Sequence, residues 1–158
     1  MSDWLPCVDA ATGVLLERPA WWEVTEDDGD LVLLAPAGEG AGGLAPRVTV
    51  SRMHPAFGVV LPGLDEFADE RLRAMGEALA DFLLVDAEET TVSSRPARRI
   101  LAACRDGTQS VTVEEWWTVA ADSVITVSAV APTMEYDEVA DVFTRIAGSL
   151  QDTETNDA

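Results

Sequence analysis

Residues 97–131 read ARRILAACRDGTQSVTVEEWWTVAADSVITVSAVA, runs rich in Val, Ile, Thr and Trp broken only by Asp106-Gly107 and Ala121-Asp122. Branched and aromatic side chains favour an extended backbone. Connections this short join antiparallel neighbours, because a parallel crossover needs a dozen residues or more. Ala97 to Arg105, Gln109 to Ala120 and Ser123 to Ala131 are therefore predicted to form an antiparallel meander. Outward from it, Leu83 to Val92, Arg47 to Met53 and Leu31 to Ala35 have the same composition, for a sheet of about six strands.

The period changes in two places. Leu64, Phe67, Ala68, Leu72, Met75, Leu79 and Phe82 fall on one helical stripe, introduced by Pro62-Gly63 and an acidic first turn. Tyr136, Val139, Ala140, Phe143, Ile146, Ala147 and Leu150 form a second stripe from about Glu135 to Leu150, with Thr133 as the expected N-cap. Strands, helix, strands, helix is an α+β order: an antiparallel sheet with two main amphipathic helices. A single domain over 1–150 is expected, with 151–158 an acidic tail that frays.

Alternation assigns the strand faces. Val111, Val113, Trp117 and Val119 share one side of their strand, and Thr112, Glu114, Trp116 and Thr118 the other. Ile125, Val127, Ala129 and Ala131 likewise oppose Val124, Thr126, Ser128 and Val130. The expectation is one core face beneath both helices and a second face free, carrying Trp116, Thr118, Thr126 and Ser128. Trp21-Trp22 and Trp116-Trp117 are adjacent pairs, so one member of each can face outward as an aromatic anchor, Trp22 included.

The 158 residues carry 29 acidic and 10 basic side chains, a net charge of −19. Such a field repels phosphates and anionic headgroups, which argues against nucleic acid and membrane-surface partners. All the basic residues are Arg. No run approaches the roughly 18 apolar residues of a membrane span. Met1-Ser2-Asp3-Trp4-Leu5-Pro6-Cys7 has no positively charged start and no apolar stretch, so a cytoplasmic protein without membrane insertion is the expectation. In that compartment Cys7 and Cys104 stay reduced, and Cys104 in its apolar run reads as a small core residue.

Candidate chemistry is sparse. His54 is the only histidine, so a hydrolase triad would have to use it, yet no Gly-x-Ser-x-Gly elbow accompanies it. Glu26-Asp27-Asp28-Gly29-Asp30 and Glu88-Glu89 are acidic, but the first lacks the spaced frame of a calcium loop. Gly38-Glu39-Gly40-Ala41-Gly42-Gly43 leads into a strand, unlike a phosphate loop, and reads as a hairpin connection. No catalytic residue, metal site or cofactor is implied.

Arg18-Pro19-Ala20-Trp21-Trp22-Glu23-Val24, the strand Leu31-Val32-Leu33-Leu34, Arg47-Val48-Thr49-Val50, Arg95-Pro96-Ala97-Arg98-Arg99 and the closing Phe143 to Leu150 follow one another in a familiar order. The layout resembles the PsbP-like fold and, within it, LpqN-type lipoproteins and DcrB/EagR-like proteins of bacteria. Ser94 stands where that pattern usually has Gly. The resemblance spans residues 14–151 and implies a non-enzymatic binding, assembly or chaperone module. LpqN-type members carry a lipoprotein signal, which is not seen here; EagR-like members are cytoplasmic chaperones.

The function expected is a non-catalytic protein-binding module using the free sheet face, with a protein partner or a second copy of the chain. The alternatives are a small-molecule or lipid binder with a cavity between sheet and helix, and a hydrolase using His54.

Overall fold

The structure is a computed structural model describing residues 3–36 and 44–154. Its strands are β1 (Trp4–Asp9), β2 (Val14–Pro19), β3 (Glu23–Asp27), β4 (Asp30–Leu34), β5 (Arg47–Met53), β6 (Ala80–Val92), β7 (Arg95–Asp106), β8 (Gln109–Val119), β9 (Val124–Pro132) and β10 (Gln151–Asp152). The helices are α1 (Leu64–Ala78) and α2 (Tyr136–Ser149). Seven strands form the main sheet in the order β3-β4-β5-β9-β8-β7-β6, and β1-β2-β10 form a small one. Every pairing is antiparallel, as the short connections require for β1–β2, β3–β4, β6–β7, β7–β8 and β8–β9. The meander is β7-β8-β9, and β5 completes it by pairing with β9. The glycine-rich stretch 38–43 lies outside the described residues, as does the tail beyond 154.

The helices do not share a face. α2 brings Phe143, Ile146 and Ala147 into one buried cluster with Val48, Val50, Trp116, Ile125, Val127 and Ala129 of the sheet and Val14 and Leu16 of β2. α1 brings Met75 into another, with Ile100, Ala102, Val111, Val113 and Trp117, and Phe67 meets Trp117 edge-on at 5.9 Å. The reason lies in β8. Every residue from Val111 to Thr118 is buried, so this strand has no solvent side. Its apparently polar members are neutralised from within: Arg71 pairs with Glu115 and Arg99 with Glu114.

Residues 151 and 152 also depart from the expected frayed tail. Gln151–Asp152 adds to β2 as β10, and Asp152 is buried. Nor is Thr133 a helix cap. It opens a 3₁₀ turn over Thr133–Glu135, and its hydroxyl bonds to that of Thr112 at 3.1 Å.

The β6–β7 turn is strained. Val92 faces Arg95 across two residues, Ser93 and Ser94, which take φ of +53° and +63°. A two-residue hairpin turn with positive φ at both positions suits Gly or Asn, and a Cβ there costs about 1–2 kcal/mol. Ser93 is fixed by a second duty, since its hydroxyl accepts the Asp152 N–H. Ser94 is exposed. Ser94→Gly is therefore expected to stabilise the protein by about 1 kcal/mol after the added backbone entropy of the unfolded chain is subtracted. A rise in the thermal midpoint checks it; a fall would show that the turn is not under strain.

Candidate binding surface

The residues singled out in the sequence are not brought together. Trp116 and Thr118 face the α2 side, opposite Val127 and Ile125, and both are buried. Thr118 donates to the Pro96 carbonyl at 2.9 Å. Trp22 is buried too, edge-on to Phe143 at 6.4 Å, while Trp21 beside it is exposed. Thr126 and Ser128 lie on the other side of the sheet, opposite Trp117 and Glu115, and are half-buried. The shared face expected for these residues is corrected accordingly: Trp22, Trp116 and Thr118 belong to the core, and Thr126 and Ser128 to a surface.

Among the described residues, that surface is the part of the α1 side which α1 leaves open. α1 packs on β6, β7 and β8. Beyond it, strand pairing sets Ser128 of β9, Thr49 of β5, Val32 of β4 and Thr25 of β3 in one row across the sheet. Thr126 and Ser51 form a parallel row. Thr49, Ser51, Thr126 and Ser128 are half-buried and Thr25 is exposed. Where this open half meets the helix there is a shallow cleft of about 280 Å³ lined by Ala74, Met75, Ala78, Leu79, Val113 and Val130.

One end of the cleft is polar. The Arg71 guanidinium donates to both Glu115 carboxylate oxygens, at 3.1 and 2.9 Å, and the Trp117 indole N–H donates to the same carboxylate at 2.7 Å. This fork-to-fork pair ties α1 to β8 with fixed geometry. The sequence did carry a signal for it. Arg71 falls between Phe67 and Met75 at helical spacing of four, on the apolar stripe, so its charge requires a carboxylate from the sheet.

A second buried carboxylate sits on the α2 side. Glu114 accepts from Arg99 Nε at 2.5 Å and from the Tyr136 hydroxyl at 3.0 Å. Burial lifts Glu114 above the ordinary carboxylate range, although Arg99 and Tyr136 both pull the other way. Burial and the Glu114 charge push the Tyr136 phenol up to about 12. The arrangement pins the first turn of α2 to β8.

The remaining chemical candidates stand apart from both sites. His54 is exposed on the link after β5 and, among the described residues, makes no hydrogen bond or ion pair. Cys7 and Cys104 are free thiols, and burial raises both, the opposite of activation. Among the described residues no cluster of His, Cys, Asp or Glu could hold a metal ion, and no helix is long and apolar enough to cross a membrane. One exposed apolar stretch was not anticipated. Phe57, Val59 and Val60 stand out on the link between β5 and α1, on a turn closed by the Val59 N–H to the Ala56 carbonyl at 2.9 Å.

No protein-family profile and no curated protein matches the sequence. Solved structures do match, over nearly the whole chain. The solution structure of cyanobacterial PsbP (CyanoP) from Synechocystis gives a TM-score of 0.68 at 13% identity, covering 96% of this chain and 93% of that one. LpqN, involved in cell envelope biogenesis of Mycobacterium tuberculosis, gives 0.63 at 15% identity, covering 94% and 89%. A variant of the protein Mog1 gives 0.64 at 13% identity, covering 98% of each chain. At these identities the likeness is one of fold, and the fold is PsbP-like.

Proposed function

We propose that the protein is a non-catalytic module that binds a partner protein through the open half of its sheet on the α1 side, with a side chain of the partner seated in the cleft between α1 and β9. The observation that carries this reading is the row of hydroxyls Thr25, Thr49 and Ser128 beside Thr126, left open by α1 among the described residues around the buried Val32, and continuous with an apolar cleft. A flat hydroxyl-bearing surface next to a small apolar socket suits a protein partner, because anchors fill sockets while the surrounding contacts exclude water. The cleft favours this over an enclosed small-molecule or lipid site. It is open to solvent, whereas ligand cavities enclose most of their ligand's surface. The similar structures support a binding role only at the level of fold; LpqN acts in cell envelope biogenesis, which for this chain is an analogy.

The test is site-specific photocrosslinking in native lysate, with p-benzoylphenylalanine placed at Ser128, at Thr49 and, as a control, at Val8 on β1, which is 74% exposed. The same adduct is expected from Ser128 and Thr49, not from Val8, and its loss on adding Ala78→Glu in the cleft. An adduct of twice the chain's mass would make the partner a second copy. Equal labelling from Val8, or labelling indifferent to Ala78→Glu, would refute the surface.

A further inference from the structure

β6 ends the main sheet, and among the described residues no strand pairs with its outer edge. Its first half is interrupted by register shifts between Ala80 and Leu83 and between Leu84 and Asp86. From Asp86 to Val92 the pairing with β7 is unbroken. An uninterrupted edge turns alternate N–H and C=O groups outward at regular spacing, which is a template for another strand.

The surroundings of that edge are acidic around a groove with an apolar floor. On the α1 side, Ala87 of β6 and Ala68 of α1 flank a groove floored by Ile100, with Asp65, Asp69 and Glu89 along its rims. On the other side, Asp86 and Glu88 stand opposite Leu101 and Arg99. Arg98 is shared between Asp65 and Glu89. Arg99 is shared between Asp86, Glu88 and the buried Glu114. Two guanidiniums are thus shared among five carboxylates, four of them at the edge, and Asp69 adds a further acid there. A second β6 laid antiparallel would bring acids against acids, so the edge repels its own kind.

The geometry points to strand addition by a basic partner: an extended segment with alternating Arg or Lys and small apolar residues pairs with Asp86–Val92 as an eighth strand. Its apolar side chains enter the gap between Ala68 and Ala87, and its cations lie on Asp86 and Glu88. Backbone pairing supplies affinity, and the alternate pockets supply selectivity. The inference is independent of the cleft at β9, and the two tests share no position.

The probe is a fluorescein-labelled peptide of sequence RVRVRVR, read by anisotropy and by amide hydrogen exchange of β6. Two controls accompany it: VVVRRRR, of the same charge and composition, and RVRVRVR N-methylated at alternate residues. The alternating peptide is expected to bind more tightly than either control by about tenfold or more, and to slow exchange of alternate amides within 86–92. Ala87→Phe, on an exposed edge that tolerates an aromatic residue, fills the gap and is expected to weaken binding by about tenfold; Glu88→Arg weakens it similarly. Absence of binding, equal binding of VVVRRRR, unslowed β6 amides, or indifference to both substitutions would each overturn the inference.

Discussion

Asp152→Ala is expected to destabilise the protein by about 3–5 kcal/mol, the cost of leaving a buried charge without its partner. The side chains of Asp152 and Arg52 are each 2% exposed and meet at 2.6 Å. Arg95 reaches the other carboxylate oxygen at 2.7 Å. Arg52 also donates to the Thr12 carbonyl at 2.5 Å, the Gly13 carbonyl at 3.2 Å and the Ser123 hydroxyl at 2.7 Å. One guanidinium thereby joins the β1–β2 turn, the β8–β9 turn and the end of the chain. Glu154, 3.4 Å from Arg52 and 40% exposed, compensates only in part. The pH dependence has a definite sign. Burial alone would raise the Asp152 pKa, but the hydrogen bonds from Arg52 and Arg95 outweigh it, and the net shift is downward. A carboxyl held lower in the folded than in the unfolded state contributes stability that is complete above the unfolded value, about 3.9, and lost as pH falls through the folded one. Urea midpoints should therefore differ most between wild type and Asp152→Ala near neutrality and converge in acid. A difference below about 0.5 kcal/mol at pH 7 would show the clasp to be incidental.

That clasp was not legible in the sequence, and the reason is distance along the chain. Asp152 stands in the polar run Gln151-Asp152-Thr153-Glu154, which looks solvated, while its partners lie at positions 52 and 95. What local pattern could specify was read closely. Arg47–Met53 is β5 as expected, and the strands of the meander and α2 fall within a few residues of their predicted bounds, whereas α1 ends at Ala78 and Phe82 of its expected stripe lies on β6. β1, β2 and β3 were not anticipated. Pro6 stands inside β1 and Pro19 ends β2, and the residues of β3 are all exposed, so no alternation marks it.

The candidate site was misread through register. The β8–β9 turn leaves Val119 opposite Val124, with Ala120 donating to the Ser123 carbonyl at 2.8 Å. Even-numbered residues of one strand therefore face the same way as odd-numbered residues of the next. Trp116 and Thr118 share a side with Val127 and Ile125, not with Thr126 and Ser128. A shift of one residue at the turn exchanges every side chain between faces. Alternation within a strand cannot reveal that shift, nor how many faces are covered. Glu114 lies on the face expected to be free, and only the arginines of Glu114 and Glu115, on β7 and α1, explain why neither side of β8 is solvated.

Trp116→Ala and Trp117→Ala test this arrangement directly, because adjacent residues on one strand are placed in different cores. Each is expected to cost about 3–5 kcal/mol, the range for truncating a buried aromatic residue. Trp117 is wholly buried in the α1 cluster, and its loss also removes the indole donor from Glu115. Trp116 is 5% exposed in the cluster that holds Phe143 and Ile146. The two losses should loosen different elements: hydrogen exchange rises in α1 for Trp117→Ala and in α2 for Trp116→Ala. With both helices on one side, one of these tryptophans would face water, and its truncation would fall within about 0.5 kcal/mol of wild type. Two large losses with separate exchange patterns are consistent only with a sheet held between its helices. One near-neutral variant would return Trp116 or Trp117 to the surface and reopen it as an anchor for a partner.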